Sequence, residues 1–322
     1  MFGLSLQRTI QNILQQDSPR LAEALGADTG RPTLLTATAF ANSSQFAQTA
    51  RIEVQCLLQL VLNVARAYLL AHPDRCLNEP EQARYDELLR RRLRGEPIAY
   101  LLGEREFFGL NFKVTPATLI PRPETELLVE LALQRISQPL PASPYQGRST
   151  HVCRVLDLGT GCGAIALAIA HSRPDVEVLA CDNSAAALDV ARENAQRRGI
   201  ANVAFMQSDW YGALDAQRFN LIVSNPPYVA ATDPHLAQGD LRFEPSSALA
   251  SGDDGLHDIR HIVAHAQAHL EPGGWLLFEH GYDQSAQVCR LLSHAGFDEI
   301  FSARDLAGIE RVSGGLRQIA AH

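Results

Sequence analysis

Apolar residues recur along this chain with two different periods. From Arg51 onward, Ile52, Val54, Leu57, Leu58, Val61, Leu62, Ala65, Tyr68 and Leu69 return at three- and four-residue spacing, which predicts one amphipathic helix stopped by Pro73. A second helix is predicted over Glu79 to Leu93. Its end carries Arg90, Arg91, Arg92 and Arg94 before Gly95, a basic run that complements a helix dipole or, alternatively, forms a partner-binding edge. Ahead of Arg51 the pattern is weak. Residues 1–50 are rich in Gln, Ser, Thr and Ala, with Gly26, Gly30 and Pro32 as breakers, and predict a loose helix followed by an irregular, mobile extension.

Beyond the helices, Phe107, Phe108, Leu110, Phe112 and Val114 around Gly109 predict a short hairpin, and TLIPRPETELLVELAL a proline-ordered turn running into a helix. Ser137 to Thr150, with Pro139, Pro141, Pro144 and Gly147, has the composition of an exposed linker. From Val152 the pattern becomes short apolar runs alternating with helices. VCRVLDLG, VEVLACD, NVAFMQSD, FNLIVSNPP and GWLLFEHG are the predicted strands. The helices are Ala164–Ala170, Ser184–Arg198, Leu256–Leu270 and Gln284–His294. Such alternation implies βαβ units and a mainly parallel sheet covered on both faces. The expected organisation is a helical substrate-recognition domain over 1–103, with 1–50 as its irregular extension. A hairpin, turn and linker over 104–150 and an α/β domain over 151–322 complete it.

Composition narrows the class. The 322 residues are 46% hydrophobic and 20% charged, which suits a globular chain of about two domains. Lys and Arg total 28 against 36 Asp and Glu, a formal charge of -8, so general attraction to nucleic acid is not expected. Six cysteines without a C-x-x-C pair suit reduced thiols in a cytosol. The first ten residues lack a signal-peptide core, and Gln55, Gln59, Asn63 and Arg66 interrupt the most apolar stretch. A cytoplasmic protein without membrane contact, and a monomer, is expected.

The candidate chemistry begins in VLDLGTGCGAIALAIA. Gly159, Thr160, Gly161, Cys162 and Gly163 join a strand to a helix, where glycines let backbone approach a ligand and helix-start N–H groups favour a polar or anionic group. Tight packing alone is the competing explanation. The next strand ends in Asp182, nineteen residues after Gly163, suited to accept hydrogen bonds from ribose hydroxyls. G-x-G-x-G after Asp157, rather than G-x-G-x-x-G, is the spacing of S-adenosylmethionine sites and not of NAD sites. The third strand ends in Ser208, Asp209 and Trp210, where Asp209 would bond an adenine and Trp210 cover it.

Strand four ends in Asn225, Pro226, Pro227 and Tyr228. Prolines stop the ladder and stiffen the turn. The Asn225 carboxamide oxygen and the Pro226 carbonyl make two acceptors, which match one planar NH2 group; Tyr228 would stack on its face. Accepting both N–H bonds orients a delocalised, weakly nucleophilic nitrogen toward an electrophilic methyl.

IPRPETE (Ile120–Glu126), DLGTGCGAIALA, QSDW, VSNPPY and GDLRFEP-SSAL-ASGDDGL together resemble the HemK family of protein-glutamine N-methyltransferases, over roughly Arg51 to Val312. The resemblance implies a class I, Rossmann-like methyltransferase with a mainly parallel seven-stranded sheet and a small helical N-terminal domain. It also implies S-adenosylmethionine as cofactor and, as target, the glutamine of the Gly-Gly-Gln motif of peptide chain release factors. By resemblance, Gly159 to Gly163 cradle the methionine end, Asp182 the ribose and Trp210 the adenine, while Asn225 through Tyr228 grip the glutamine. Arg122 or Glu124 is expected either to position backbone or cofactor, or to form a buried ion pair bracing the interdomain hinge. Arg242, Phe243 and Glu244 are expected to order a loop. Competing functions are glutamine methylation of a large-subunit ribosomal protein, adenine-N6 methylation of DNA, which would need a flipped base and a cationic track, and a non-catalytic nucleoside-binding module, which would dispense with Asn225. His257, His261, His265 and His269 at spacing four are expected on a solvated helix face, with no metal, because no acidic or cysteine ligand set accompanies them.

Overall fold

A computed structural model describes residues 8–28, 37–137 and 152–319. The chain divides into two compact units, one up to Gly103 together with Ala237–Phe243, the other comprising Glu104–Leu236 and Glu244 onward.

In the first unit, α1 (Ile10–Asp28), α2 (Ala37–Leu62), α3 (Arg66–Ala71), α4 (Glu79–Leu93) and α5 (Ile98–Leu102) enclose a core built from Ile10, Ile13, Leu21, Val54, Leu57, Leu58, Tyr85 and Leu88. Two expectations change here. The irregular extension is instead helical over α1 and the start of α2, because Ile10, Ile13 and Leu21 bury fully against α2 and α4. The mobile stretch predicted after the first helix, with Gly30 and Pro32, falls outside the described residues. The helix predicted to run from Arg51 past Leu69 is broken: Asn63 adopts φ +52°, a left-handed conformation that Asn tolerates, and Ala65 is extended before α3. Buried Gln55 spans the break by accepting from Arg66 Nε at 3.1 Å.

The start of α4 is capped by Asn78, whose side chain accepts from Glu81 N at 2.9 Å while Glu81 accepts from Asn78 N, a reciprocal capping box. At its other end three arginines of the basic run form ion pairs. Arg90 pairs with Glu87 and Arg91 with Glu96, while Arg92, only 4% exposed, lies between Glu53 (2.7 Å) and Asp240 (3.1 Å).

The second unit opens with the predicted hairpin, β1 (Glu104–Phe107) against β2 (Leu110–Lys113), whose turn residues Phe108 and Gly109 both have positive φ. A 3-10 turn at Pro123–Thr125 leads into α6 (Glu126–Ser137). The linker predicted after Ser137 lies outside the described residues. The sheet holds β3 (Arg154–Leu158), β4 (Glu177–Asp182), β5 (Val203–Gln207), β6 (Phe219–Ser224), β7 (Leu270–Glu279), β8 (Phe297–Arg304) and β9 (Glu310–Arg317). They lie in the order β5-β4-β3-β6-β7-β9-β8. The first five of that order are parallel; β9 is antiparallel to both β7 and β8. This is the seven-stranded, mainly parallel methyltransferase sheet.

Helices α7 (Ala164–Ser172), α8 (Ala185–Arg198), α9 (His257–His269) and α10 (Ser285–His294) make the crossovers. Leu156, Leu158, Ile222, Leu276 and Phe278 bury against Ile259, Ile262, Val263, Val288 and Leu292 of α9 and α10. Their strand neighbours Val155, Leu221, Val223 and Leu277 point to the opposite face and are equally buried, so both faces are covered. The strand order reverses between β3 and β6, and open α/β sheets bind ligands at the carboxyl ends beside such a switch point.

The burial of α1 has a measurable consequence. Leu21→Ala is expected to destabilise the protein by about 2–5 kcal/mol, the cost of a core cavity; urea unfolding monitored by circular dichroism checks it, and a change near zero would make α1 an appendage.

Candidate active site

At the carboxyl ends of β3, β4 and β6 lies a cavity of about 490 Å³, bordered also by residues from 116 to 125 and from 245 to 248. Its volume falls within the range of small-molecule sites. Gly159, Thr160, Gly161, Cys162, Asp182, Asp209, Trp210, Asn225 and Pro227 line it. Gly163, Pro226 and Tyr228 do not.

The glycine turn is ordered from within. Gly159 N and Thr160 N both donate to Cys181 O at 2.9 Å, Gly161 N donates to Asp182 Oδ2 at 2.8 Å, and Gly163 N donates to Thr160 O. These N–H groups are therefore not available to attract an anion, contrary to the expectation from the loop alone; they tie the turn to the end of β4. Gly161 has φ +56°, and a Cβ there would meet nothing within 4 Å, so this backbone borders open space. Gly163 serves packing instead. With φ +85°, a Cβ would press on Leu167 Cδ1 at 3.0 Å and Ala191 Cβ at 3.2 Å.

Asp182 spends one lone pair on each oxygen, on Gly161 N and on Ser184 N at 2.9 Å, and retains others along the cavity wall. Burial raises its carboxyl from the ordinary range, opposed by those backbone hydrogen bonds. Trp210 has φ +48°, uncommon for a bulky residue. Buried Ser208 holds it there by donating to Trp210 O at 2.8 Å and accepting from Ala213 N at 3.0 Å. Asp209, beside it, is exposed on the rim.

Asn225 stands where β6 stops. Its Nδ2 donates to Thr125 Oγ1 at 3.3 Å, which leaves the carboxamide oxygen free at the cavity wall. No protein donor reaches the Pro226 carbonyl among the described residues. Tyr228 corrects the stacking expectation: its ring packs on the apolar cluster that includes Phe278, and its hydroxyl donates to Glu279 Oε1 at 3.1 Å. A buried phenol takes its partner where it finds one.

Comparison with known proteins decides the family. Residues 36–103 match the PrmC N-terminal domain and residues 145–243 the methyltransferase small domain. The release factor glutamine methyltransferase of Xylella fastidiosa is 52% identical over 265 residues, 82% of this chain and 92% of that one. That of Burkholderia pseudomallei is 53% identical over 270 residues, 82% and 91% of the two chains. That of Escherichia coli is 46% identical over 269 residues, 84% and 93%. The chain belongs to the release factor glutamine methyltransferases.

It is thus an S-adenosylmethionine-dependent methyltransferase, and the donor set fits that cofactor. Asp182, Asp209 and Asp258 line the cavity, while no Lys, Arg or His does so among the described residues. Such a wall suits a ligand with hydroxyl donors and net positive charge and disfavours a pyrophosphate. Two supporting residues of this methyltransferase, Asn194 and Gln284, carried no sequence signal as site residues, and others are explained only by the fold. Asn194, buried on α8, accepts from Lys113 N at 2.7 Å and donates to Lys113 O and Cys162 O, joining hairpin and glycine turn. Glu244, in the segment expected to order a loop, is wholly buried at its side chain, accepts from Ile120 N at 2.9 Å and pairs with Arg122; this ion pair lies within the second unit and braces the IPRPETE segment rather than a hinge. Gln284 donates to Tyr228 O at 3.0 Å, and Gly255 lies so close that a Cβ would collide with that carbonyl. Pairing of Val229 with Leu249 and Ser251 explains why SSAL-ASGDDGL accompanies the Asn-Pro-Pro-Tyr turn. His257 and His265 are exposed as expected, but the row does not lie wholly on a solvated face: His269 is buried and stacks on Tyr211 at 4.7 Å, and His261 stacks on it at 6.5 Å; no His/Cys/Asp/Glu group able to hold a metal occurs among the described residues.

Asp157 lies beneath the turn, fully buried, accepting from Thr160 Oγ1 at 2.7 Å while its Oδ1 has no partner. Burial pushes its carboxyl up to about 7 from an ordinary 3.8. The native state then holds more protons than the unfolded chain between those values, so this residue's contribution to stability falls as pH rises through the window. Asp157→Asn removes the titration. Relative to wild type, the variant should gain about 4 kcal/mol on going from pH 4 to pH 8, read by urea unfolding of both proteins; parallel pH curves would refute the assignment.

Proposed function

We propose that this chain transfers a methyl group from S-adenosylmethionine to the side-chain amide nitrogen of the glutamine in the Gly-Gly-Gln motif of peptide chain release factors. Family membership supports the substrate class: its relatives are release factor glutamine methyltransferases by name. The observation that carries the chemistry is Asn225, clamped through its NH2 and open through its oxygen at the mouth of the acid-lined cavity.

In this reading Asp182 receives the ribose hydroxyls, Asp209 and Trp210 the adenine, and Gly159 to Cys162 border the methionine end; Gly163 acts by packing α7 close. When bound, the cofactor supplies an electrophilic methyl carried on a sulfonium. The chain's task is the other reactant. Asn225 Oδ1 and the Pro226 carbonyl accept the two amide N–H bonds of the glutamine, and Pro227 keeps the turn rigid. Both acceptors hold the nitrogen with its weak lone pair aimed into the cavity, an entropic and electrostatic gain rather than base catalysis. An alkylated amide nitrogen is strongly acidic, so no side chain needs to remove the proton beforehand. Tyr228 anchors the turn instead of covering the substrate. Among the described residues no helix is long and apolar enough to cross a membrane. In this reading the enzyme works in the cytosol as a monomer and meets release factors as free proteins; its formal charge of -8 is in keeping with no direct contact to nucleic acid.

Asn225→Ala should lower turnover about 100- to 1,000-fold while cofactor affinity by calorimetry stays within about threefold, the pattern of a lost transition-state contact. Labelled cofactor mixed with release factor, ribosomal protein and DNA should mark the release factor, at its Gly-Gly-Gln glutamine by peptide mapping. Label in DNA alone would end this reading.

A further inference from the structure

The sheet order separates the cofactor from the strands beyond Asn225. In the proposed function Gly159, Asp182 and Asp209, at or just past the ends of β3, β4 and β5, take the cofactor, and Asn225 stands at the end of β6. The part of this edge that stays clear of cofactor belongs to β7, β9 and β8. Because β9 runs antiparallel to β7, the turn joining β8 to β9 projects from the same edge as the carboxyl ends of the parallel strands. Ser224, Phe278 and Ser313 share one level of the ladder. Asn225 lies one residue past that level on β6, and Ile309 four residues past it, two strands away. At about 3.3 Å per residue and about 4.8 Å between strands, Ile309 stands about 14 Å from Asn225 and further out from the sheet.

This part of the edge is apolar. Leu306 on the turn is wholly exposed, Ile309 is 37% exposed, and Tyr282, three residues past the end of β7, is 71% exposed. Single apolar residues on a surface are ordinary, but the distribution here is uneven. The other exposed large apolar residues described in the second unit, Val152 and Ile319, flank the opposite edge, before β3 and after β9. The turn is also fixed from within. Asp305 Oδ1 accepts from Ala307 N and Ile309 N, each at 2.9 Å, while Asp305 Oδ2 pairs with Arg311 at 3.2 Å and Arg304 with Glu310 at 3.1 Å. The four charges flanking the turn satisfy one another, so what the turn offers outward is apolar. An apolar surface rimmed by polar groups marks a protein contact, and one already held in place loses little entropy when covered.

We propose that Tyr282, Leu306 and Ile309 form a docking surface for the release factor: an apolar patch of the factor beside its target glutamine packs here while the glutamine enters at Asn225. This rests on the proposed function, in which the group presented to Asn225 belongs to a protein. A folded protein that inserts a side chain at Asn225 extends well past 14 Å, so it meets a turn standing proud of the same edge. A second copy of this chain is the competing occupant, and seated here it would stand across the approach to Asn225.

The test uses the full-length enzyme with intact release factor and labelled cofactor. Tyr282→Ser, Leu306→Ser and Ile309→Ser combined should keep the wild-type circular dichroism spectrum and urea midpoint, since the positions are exposed. KM for release factor should rise about 10- to 100-fold, with kcat at saturation and cofactor affinity by calorimetry held within about threefold. Leu306→Ser alone should raise KM about 3- to 10-fold, and it decides alone if the triple variant does not fold. Val152→Ser, at the opposite edge, should leave KM within about twofold. An unchanged KM in the folded variants overturns the proposal, as does an equal rise in Val152→Ser or a loss confined to kcat. Light scattering covers the competing occupant: a wild-type dimer that the triple variant converts to monomer, with KM unmoved, assigns the surface to self-association. The wild-type control separates the two claims. If wild type labels DNA or ribosomal protein in place of release factor, the proposed function fails and the docking surface with it; if it labels release factor while KM of the variants is unmoved, only the docking surface fails.

Discussion

Parallel pairing brings the ends of neighbouring strands to one level, and the candidate site is assembled on that level. Leu158 pairs with Cys181 and with Ser224, and Ser224 in turn with Phe278. The residues one step beyond these partners, Gly159, Asp182, Asn225 and Glu279, therefore emerge along a single edge although they span 120 positions of the chain. Strands buried on both faces carry polar groups most cheaply where they end. A glycine turn, an acid, an amide and a second acid occupy those ends, with Asp157 the buried acid two residues further in.

The segments leaving the strand ends are held by polar anchors more than by apolar packing. Glu244 fastens Ile120 and Arg122; Gln284 and Gly255 close on the carbonyl of Tyr228; Asn194 bonds both the hairpin end and the turn carbonyl of Cys162. Such anchors are costly to bury, and each is useful because it has a narrow geometry. The two prolines after Asn225 act in the same sense by removing backbone freedom at the residue that must not swing.

Electrostatics selects among ligands that the fold alone would admit. A doubly wound sheet with a glycine turn accommodates dinucleotides as well as nucleosides. Here the turn amides are occupied by Cys181 and Asp182, and the cavity wall carries three carboxylates without a cation among the described residues. Phosphate has no counter-charge in such a place. Buried Asp157 beneath the turn extends the same acidic character inward, and its carboxyl, held up to about 7, stays partly neutral near physiological pH.

Periodicity and end signals were enough to place the sheet strands, the helices between them, the glycine turn and the Asn-Pro-Pro-Tyr stop, because each is written in consecutive residues whose backbone preferences agree. The same local rules saw only a loose helix around residues 10–28, where burial of Ile10, Ile13 and Leu21 against other helices makes it regular, and they ran one helix through Asn63. They placed Gly163 and Tyr228 at the ligand; packing against Ala191 and the pull of Glu279 put them elsewhere. Asn194, Glu279 and Gln284 were not legible, since the partners that fix their side chains lie 29 to 81 residues away. A sequence determines which residues can end a strand or open a turn; only the folded chain decides which distant hydroxyl or carboxylate then holds them, because that depends on where long-range pairing places a partner and not on any local preference.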